Sequence, residues 1–432
     1  MDSLHSTSVL VENAPGIKAI FRSLRHRNFG LYFAGQGVSL IGTWMQQVAM
    51  SWLVYRLTGS PFLLGVVIFC NQFPTFLFSS FAGVLADRWD RRRILLLTQT
   101  LSLLQALLLA LLTMRGVVAV WHIIALGVFL GLVNSVDIPA RQSFLIDMID
   151  NKKDLGNAIA LNSSLVNLAR LIGPSLAGIL IALVGEGVCF LINALSFLAV
   201  IGSLVAMRIA VMNEEGPSGD LWSGWKEGLR YAFGFSPIGA ILILLGLLSM
   251  SGTPYMVLMP IFATRTFHGG PHTLGFLMAA SGMGALIGAI YLASRKNILG
   301  LWRIIAGSAL FFGLSIMGFS FSRVLWLSLF LNFTGGFAMM VGMAASNTIL
   351  QTIVDDDKRG RVMSLFATAF IGTAPIGSLI AGALAERIGA PLTVLLGGSL
   401  CLLGGIGFLT RLASIRRAVR PVYLKMGIVP GS

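Results

Sequence analysis

The chain has 432 residues, of which 56% are hydrophobic and 11% are charged, and its formal net charge is +14 at pH 7. Soluble domains carry about 25% charged residues, so this composition excludes a water-soluble globular protein. The positive charge does not indicate a nucleic-acid partner, because the basic residues lie between long apolar stretches instead of forming one patch.

Twelve apolar stretches account for most of the chain, and each is near or above the length that crosses a bilayer. About 20 helical residues cross the ~30 Å hydrocarbon core, and a helix satisfies its own backbone hydrogen bonds there. We therefore predict an all-α membrane protein with twelve transmembrane helices. The predicted spans are Gly30–Tyr55, Phe62–Leu85, Ile94–Thr113, Trp121–Pro139, Gly156–Val184, Val188–Met207, Ile238–Phe262, Thr273–Ala293, Trp302–Phe321, Leu325–Thr352, Val362–Ala385 and Pro391–Leu412.

The lysines and arginines concentrate in alternate loops between these spans. With a cytoplasmic N-terminus, the cytoplasmic loops carry groups such as Arg91–Arg93 and Lys358–Arg361, whereas the outer loops carry single arginines such as Arg115. This bias follows the positive-inside rule, so we predict that both termini are cytoplasmic. Residues 1–28 are predicted to form a cytoplasmic arm without the apolar core of a signal peptide, and residues 413–432 a basic cytoplasmic tail.

The spans fall into two halves of six. Residues 29–207 are predicted to form the N-terminal bundle and residues 238–412 the C-terminal bundle. The linker 208–237 is predicted to be cytoplasmic and to contain an amphipathic helix at the membrane interface. Segment 140–153 aligns with 345–358, after the fourth and the tenth span, which indicates a duplicated half. Two such halves with a site between them are a transporter architecture.

Polar residues follow the first span at helical spacing: Gln36, Ser39, Thr43 and Gln47. In a lipid-embedded helix such a stripe either holds neighbouring helices together or lines a cavity. The stripe by itself leaves both interpretations open.

The loop after the second span has the order Gly83-Val-Leu-Ala-Asp87-Arg88-Trp-Asp-Arg91-Arg92-Arg. A positive-inside anchor explains the arginines but not Asp87, which stands where the helix meets the interface. The order resembles the loop motif of the major facilitator superfamily, except that Asp90 replaces a glycine of that motif.

The resemblance implies two pseudo-symmetric six-helix bundles around a cavity lined by helices 1, 4, 7 and 10. It also implies that the loop motif locks the cytoplasmic side in one state of the transport cycle. In that lock Asp87 caps the N-terminus of the eleventh span, where a carboxylate is favourable. Arg91 reaches an acid on the fourth span, for which Asp137 is the candidate, and Asp90 is expected to compete for Arg91.

Two residues of the fourth span are candidate functional residues. Asn134 is a candidate for the cavity wall. Asp137, near the cytoplasmic end of the span, has two interpretations: it is the gate partner of Arg91, or it is the acid that carries a coupling proton. A carboxylate at mid-depth, of the kind expected in a proton antiporter, is missing from the predicted spans.

The fifth span carries Arg170 about 14 residues from its start, or ~21 Å at 1.5 Å per residue, which is near mid-depth. A charge there costs at least about 2.5–3.5 kcal/mol and normally faces a polar cavity. We predict that Arg170 lies on the translocation path, where it binds an anionic group or controls a nearby acid; a structural arginine is the alternative. Gly173, Pro174 and Gly178 resemble a helix-5 element of superfamily antiporters, which implies a packing surface between the halves.

The second half offers comparable candidates for the path. Thr253 and Tyr255 lie on the seventh span and Asn347 on the tenth, and both spans are rich in methionine. Methionine gives a soft and adaptable surface. The predicted cavity is wide, mostly apolar and suited to an amphipathic or aromatic substrate.

The segments 27–29 and 137–142, together with Gly173-Pro174, resemble a bacterial exporter branch that includes the enterobactin exporter and macrolide-efflux proteins. The resemblance covers roughly residues 18–412. It implies a monomeric exporter in the plasma (inner) membrane that moves a small amphipathic compound, siderophore or drug, in exchange for protons. A lysophospholipid or lipid transporter of the same fold is the alternative.

Other classes lack their expected residues in the sequence. The five histidines show no metal-binding spacing with Glu, and the phosphate loop of an ATP-driven pump does not occur. We therefore expect no enzyme activity, no cofactor and no metal site. The expected partners are the small-molecule substrate, protons and the lipid bilayer.

Overall fold

The computed structural model describes residues 21–86, 89–149, 151–208, 221–295 and 297–428, with side-chain environments except at 80–86, 152, 221–226 and 356–357. The first half contains α1 (Arg27–Thr58), α2 (Pro61–Ala86), α3 (Arg91–Met114), α4 (Val120–Asp147), α5 (Leu155–Val184) and α6 (Glu186–Ala206). The second half contains α7 (Ser236–Thr266), α8 (Pro271–Ala293), α9 (Leu301–Phe321), α10 (Leu325–Ile353), α11 (Asp356–Ala367 continuing to Ile388) and α12 (Ala390–Thr410).

A helix lies at each of the twelve predicted spans. Within the described residues, eleven helices are long and apolar enough to cross a membrane. The helix α1 is 32 residues long but does not belong to these eleven, and it carries the polar stripe. The all-α membrane class is confirmed, whereas a twelfth crossing by α1 stays a prediction.

The two halves pack their helices in the same pattern. In the first half α2 packs on α4, α3 on α6 and α3 on α4. In the second half the corresponding pairs are α8 on α10, α9 on α12 and α9 on α10. This correspondence is the structural counterpart of the repeat between segments 140–153 and 345–358.

The halves contact each other mainly through two helix pairs, α5 with α8 and α2 with α11. Small residues allow this approach. A Cβ atom on Gly65 would lie 2.5 Å from the carbonyl oxygen of Ser378, and one on Gly275 would lie 2.6 Å from that of Pro174. Each glycine therefore marks a close backbone contact between the bundles.

One end of the bundle, which we call the terminal face, carries the start of α1 and the end of α12; the other end is the opposite face. At the opposite face a carboxylate joins the halves. Glu386 near the end of α11 accepts hydrogen bonds from the hydroxyl of Ser60 (2.9 Å) and the backbone N–H of Phe62 (3.2 Å). It therefore caps the start of α2.

The linker contains a helix, Leu221–Gly234, whose described end packs against the start of α11. Glu227 pairs with Lys358 (2.6 Å) and Arg361 (2.7 Å). The hydrogen bond from Lys358 lowers the pKa of Glu227. A helix lies in the predicted linker, and ion pairs tie it to the second half at the terminal face; its amphipathic role at the membrane interface stays a prediction.

A tail helix, Leu412–Lys425, follows α12. Its apolar face, with Ile415 and Val419, is buried against the second half, and Trp302 donates a hydrogen bond to the hydroxyl of Tyr423 (3.1 Å). The predicted basic tail is thus a helix bound to the bundle, at least as far as Lys425.

Candidate functional site

A cavity of about 400 Å³ lies between the two halves. Its wall comes from both bundles, with α1, α2 and α5 on one side and α7, α8, α9, α10 and α11 on the other. A volume of this size is typical of pockets for small molecules. The position between the halves makes it the candidate substrate site.

Two irregular helix segments border this cavity. The helix α7 changes to π geometry at Leu248–Gly252, and α11 does so at Thr368–Gly372. The hydroxyl of Ser249 in the first segment donates to the carbonyl oxygen of Phe370 in the second. Segments of π-helix occur frequently at functional sites, and here the pair places Ser249 and Phe370 in the cavity wall.

Arg170 lies in the wall at the junction of the halves. A Cβ atom on Gly282 of α8 would lie 2.9 Å from the carbonyl oxygen of Arg170. The Cζ atom of Arg170 stands 5.1 Å from the ring centre of Trp44, and its Nε atom has no hydrogen-bond partner among the described residues. An arginine over a tryptophan face gains about 0.5–2 kcal/mol, which offsets only part of the cost of its position in the membrane.

The facing wall presents a fixed phenol. The hydroxyl group of Tyr255 lies 3.2 Å from that of Ser281, and the ring stands edge-on to Phe312 and Phe319 at 6.5 and 6.0 Å. These contacts hold the ring in one orientation. The wall therefore combines one cation, a few neutral polar groups and a larger apolar surface.

The apolar surface of the wall is soft and aromatic. Thioether side chains bend to fit irregular ligands at little energetic cost. The methionines and phenylalanines that line the cavity are Met256, Met278, Met339, Met340, Met343, Phe312 and Phe370.

The structure brings together four of the predicted path residues: Gln47, Arg170, Thr253 and Tyr255. The other five do not line this cavity. Gln36 and Ser39 are buried within the first half, and Thr43 is exposed and donates a hydrogen bond to the carbonyl of Ser39 (2.9 Å). Asn134 and Asn347 are half-buried, and Asn347 accepts a hydrogen bond from Gln351 (3.1 Å).

Only part of the predicted polar stripe on α1 lines the cavity, because this helix has two polar faces. One face packs within the first half, where Gln46 donates to Gln105 (3.1 Å) and accepts from Asn193 (2.8 Å). The other face lines the cavity with Trp44, Gln47 and Ser51. Trp44 and Ser51 were missed from the sequence, although they lie three residues before and four residues after the predicted Gln47, on the same helical face.

The predicted pairing of Arg91 with Asp137 is wrong. Arg91 binds both carboxylate oxygens of Asp147 at 3.0 Å. Asp137 is 1% exposed and pairs with Arg141 one turn later on α4. Arg91 opens α3 at the terminal face, where α4 ends at Asp147, whereas Asp137 lies ten residues or ~15 Å deeper.

Asp137 has two further donors on α3. The hydroxyl group of Thr98 donates to it at 2.7 Å and the amide of Gln99 at 2.8 Å. Together with Arg141 these groups form the Asp137 network, which crosses from α3 to α4. A buried carboxylate needs such donors.

Asp90 and Arg92 fix the loop motif within the first half. Asp90 accepts a hydrogen bond from the backbone N–H of Arg92 (2.9 Å) and pairs with Arg93 (3.3 Å). Asp90 therefore caps the start of α3. The expected competition of Asp90 for Arg91 does not appear among these contacts. Arg92 donates to the carbonyls of Leu204 and Val205 at 2.8 Å, and so binds the end of α6. A cation is favourable at a helix C-terminus.

The remaining motif residues are only partly described. Gly83 lies near the end of α2, and Asp87 and Arg88 lie outside the described residues. The contact of Asp87 with the start of α11 therefore stays a prediction.

The helix-5 element touches both halves. A Cβ atom on Gly178 would lie 2.8 Å from the carbonyl oxygen of Pro271 on α8, and the carbonyl of Pro174 faces Gly275 on the same helix. Gly173 instead faces α1, where a Cβ atom would lie 2.5 Å from the Cβ atom of Trp44. Gly173 thus allows the approach that places the Trp44 ring below Arg170.

The sequence matches a family model described as transmembrane secretion effector over residues 18–420. The staphyloferrin A transporter of Staphylococcus aureus is 26% identical over 362 residues, which cover 83% of this chain and 89% of that protein. The multidrug efflux pump Tap of Mycolicibacterium fortuitum is 25% identical over 90% of this chain and 95% of its own. Macrolide efflux protein A of Streptococcus pyogenes is 23% identical over 87% of this chain and 95% of its own.

Solved structures show the same fold. A peptide-conjugate complex of a POT family transporter gives a TM-score of 0.72 at 13% identity, covering 90% of this chain and 96% of its own. The inward-facing, unoccupied bacterial homologue of the human lysosomal transporter Spinster gives 0.66 at 15% identity, covering 92% and 97%. The family match and the relatives show that this is a multi-pass membrane transporter of the major facilitator superfamily. Within it, the chain belongs to the transmembrane secretion effector family.

Proposed function

We propose that this transporter exports a small amphipathic compound, siderophore-like or drug-like, across the plasma (inner) membrane by alternating access. The observation that carries the proposal is the central cavity, whose wall is shared by both halves and whose apolar part is rich in thioether and aromatic side chains. The names of the relatives, which include a siderophore transporter and two efflux proteins, support the same substrate range. The positive-inside bias supports cytoplasmic termini, and the superfamily resemblance supports a monomer.

We further propose that export is exchanged for protons and that Asp137 carries the coupling proton. Its pairing with Arg141, not Arg91, supports this role over the gate role. Protonation of Asp137 would free Arg141 and loosen the contact between α3 and α4. The loop motif, with Gly83, Asp87, Arg88, Arg91 and Arg92, keeps the proposed gate role.

The test uses inverted membrane vesicles that contain the protein and have an acidic interior. A macrolide, a siderophore and a dye are added separately, and compound uptake and release of protons are recorded together. Uptake with matched proton release, abolished by nigericin, is the expected result. Uptake that survives collapse of the pH gradient would contradict proton exchange, and the absence of uptake for every compound class would contradict the exporter.

A lipid transporter is the second candidate, because one groove opens on the outer surface of the first half. The groove, about 700 Å³ between α3 and α4, is lined by apolar residues such as Leu97 and Phe129, with the ion pair of Asp90 and Arg93 also in its wall. An acyl chain with a polar head would suit this combination. Proteoliposomes with a fluorescent lysophospholipid test it: translocation faster than in protein-free liposomes favours the lipid function.

A further inference from the structure

We infer that Arg170 and Trp44 form a recognition site for a carboxylate on the exported compound. This inference deepens the proposed function, because it rests on the central cavity being the substrate site. It assigns a chemical class, an amphipathic acid with an aromatic or apolar body, to a cavity whose substrate the family alone does not define.

The charge of the cavity selects an anion. Among the described residues that line it, Arg170 is the charged one, and the other polar groups are the amides and hydroxyls of side chains such as Gln47, Gln72 and Ser51. A buried cation without a carboxylate neighbour favours an anionic ligand, since the ligand supplies the missing partner.

The geometry of Arg170 suits an oxygen anion. The guanidinium group lies over the Trp44 ring, with 5.1 Å from Cζ to the ring centre. The π face of the ring accepts no conventional hydrogen bond, so it does not replace an oxygen acceptor for the N–H groups. The Nε–H has no described partner. A planar guanidinium edge matches the two oxygens of a carboxylate, which accept parallel hydrogen bonds from it.

An internal acid does not take this role in the described part of the chain. Two described carboxylates of the first half are buried, and each has its own partners: Asp137 is bound by Arg141, Thr98 and Gln99, and Glu186 is bound by Arg56. The earlier alternative, in which Arg170 controls the protonation of a nearby acid, therefore has no described acid to act on. The ligand is the remaining source of a negative charge.

The rest of the wall selects the body of the ligand. Met339, Met340 and Met343 present thioethers, and Phe312 and Phe370 present rings, within the same cavity of about 400 Å³. Apolar pockets with a few placed polar groups bind compounds that are largely apolar with one oriented polar end. The cavity thus fits an acid attached to a compact aromatic or aliphatic group.

The experiment measures binding to the purified protein in detergent by calorimetry, without a membrane gradient. The probes are three pairs of an acid and its uncharged primary amide: phenylacetate, 1-naphthaleneacetate and biphenyl-4-carboxylate, each with its amide. Each pair differs in charge and hardly in shape. The variants are Arg170→Gln, Arg170→Lys, Trp44→Phe and Trp44→Leu, with Arg115→Gln as a control that removes one exposed positive charge outside the cavity.

We expect at least one acid to bind tenfold or more tightly than its amide. Arg170→Gln should abolish this preference while amide binding stays unchanged, and Arg115→Gln should keep it. Arg170→Lys and Trp44→Leu should each reduce the preference, whereas Trp44→Phe should retain most of it because a ring face remains.

Two results would overturn the inference: no acid preference anywhere in the panel of the unaltered protein, or a preference that persists in Arg170→Gln. Amide binding and the thermal unfolding midpoint show whether each variant is folded. Because this assay needs neither transport nor a proton gradient, its outcome is independent of the vesicle experiment. Acid-selective binding without export would support the recognition site and contradict the exporter function. Export without acid-selective binding would support the exporter function and contradict the recognition site.

Discussion

Arg141 and Arg170 are two arginines within membrane-spanning helices of the same half, and their surroundings differ in one respect. Arg141 pairs with Asp137 on its own helix, and that carboxylate is held by Thr98 and Gln99 as well. Arg170 lies over the ring of Trp44, and its Nε–H has no hydrogen-bond partner among the described residues. A charge that the protein satisfies internally contributes to structure or coupling, whereas a charge left without a counter-ion in a cavity is available to a ligand.

The largest effect should come from breaking the Asp137 network. Asp137→Ala would leave Arg141 buried without its carboxylate and should destabilise the protein by ~3 kcal/mol. The measurement is thermal unfolding in detergent of the single variants and of the double variant Asp137→Ala/Arg141→Met. The double variant should recover most of the loss. A double variant as unstable as the sum of the single ones would show that the ion pair is not the unit that matters.

Arg170→Gln should behave in the opposite way. Because it removes a cation that has no carboxylate partner, it should change the free energy of unfolding by less than ~1 kcal/mol and can even raise it. Arg141→Gln, measured in the same way, provides the matched comparison and should be clearly destabilising. Equal losses for the two variants would contradict the distinction between a satisfied and an unsatisfied arginine.

Gly173→Ala should separate Arg170 from its ring. The new Cβ atom would meet the Cβ atom of Trp44 at 2.5 Å and the carbonyl of Ile41 at 3.0 Å, so α1 and α5 must move apart. We expect a loss of about 1–3 kcal/mol and weaker binding of the acid probes. Gly202→Ala is the control, because a Cβ atom there meets nothing within 4 Å; it should lose neither stability nor binding. Unchanged binding in Gly173→Ala would indicate that the ring does not position the guanidinium.

Glu386→Gln tests how much an exposed carboxylate with hydrogen-bond partners contributes to the free energy of unfolding. Glu386 is exposed and joins the halves through Ser60 and Phe62, and exposed interactions of this kind contribute little. The unfolding free energy should fall by less than ~1 kcal/mol. A loss comparable to that of Asp137→Ala would show that the contact at the opposite face holds the two halves together.

The smallest effect concerns Glu227, whose side chain is exposed. Lys358 lowers its pKa through a hydrogen bond, so its contribution to linker docking is complete above the unfolded pKa and is lost as the pH falls through the lowered folded value. Protection factors of the amides of residues 227–234, which compare their hydrogen exchange with that of an unfolded chain at the same pH, should fall over that range in the unaltered protein. Glu227→Gln should already have low protection factors at neutral pH. Protection factors that do not change with pH would contradict the docking role of this ion pair.

Much of the candidate site was accessible from residue chemistry and spacing. Arg170 was identifiable because a charge at the middle of a span is energetically costly. Gln47, Thr253 and Tyr255 were identifiable because polar side chains on membrane helices either bind a neighbouring helix or line a cavity. The prediction was wrong for the partner of Arg91, because the sequence shows that an acid follows on α4 but not which acid lies at the depth of Arg91. It missed Trp44, which lies three residues before Gln47 on the same helical face, because a tryptophan in a membrane helix is equally compatible with apolar packing.

The sequence by itself determined where the helices lie, that the chain is a membrane transporter of two related halves, and where costly charges stand along each span. These properties depend on hydropathy, on the length of each apolar stretch and on the order of residues within it. All three can be read along the chain without knowing which helices pack together. The tertiary structure decided which face of α1 meets the cavity, that Asp137 binds Arg141, and that Gly173 brings Trp44 under Arg170. Those outcomes depend on how helices distant in the chain rotate and pack against each other, and many rotations are compatible with the same apolar pattern.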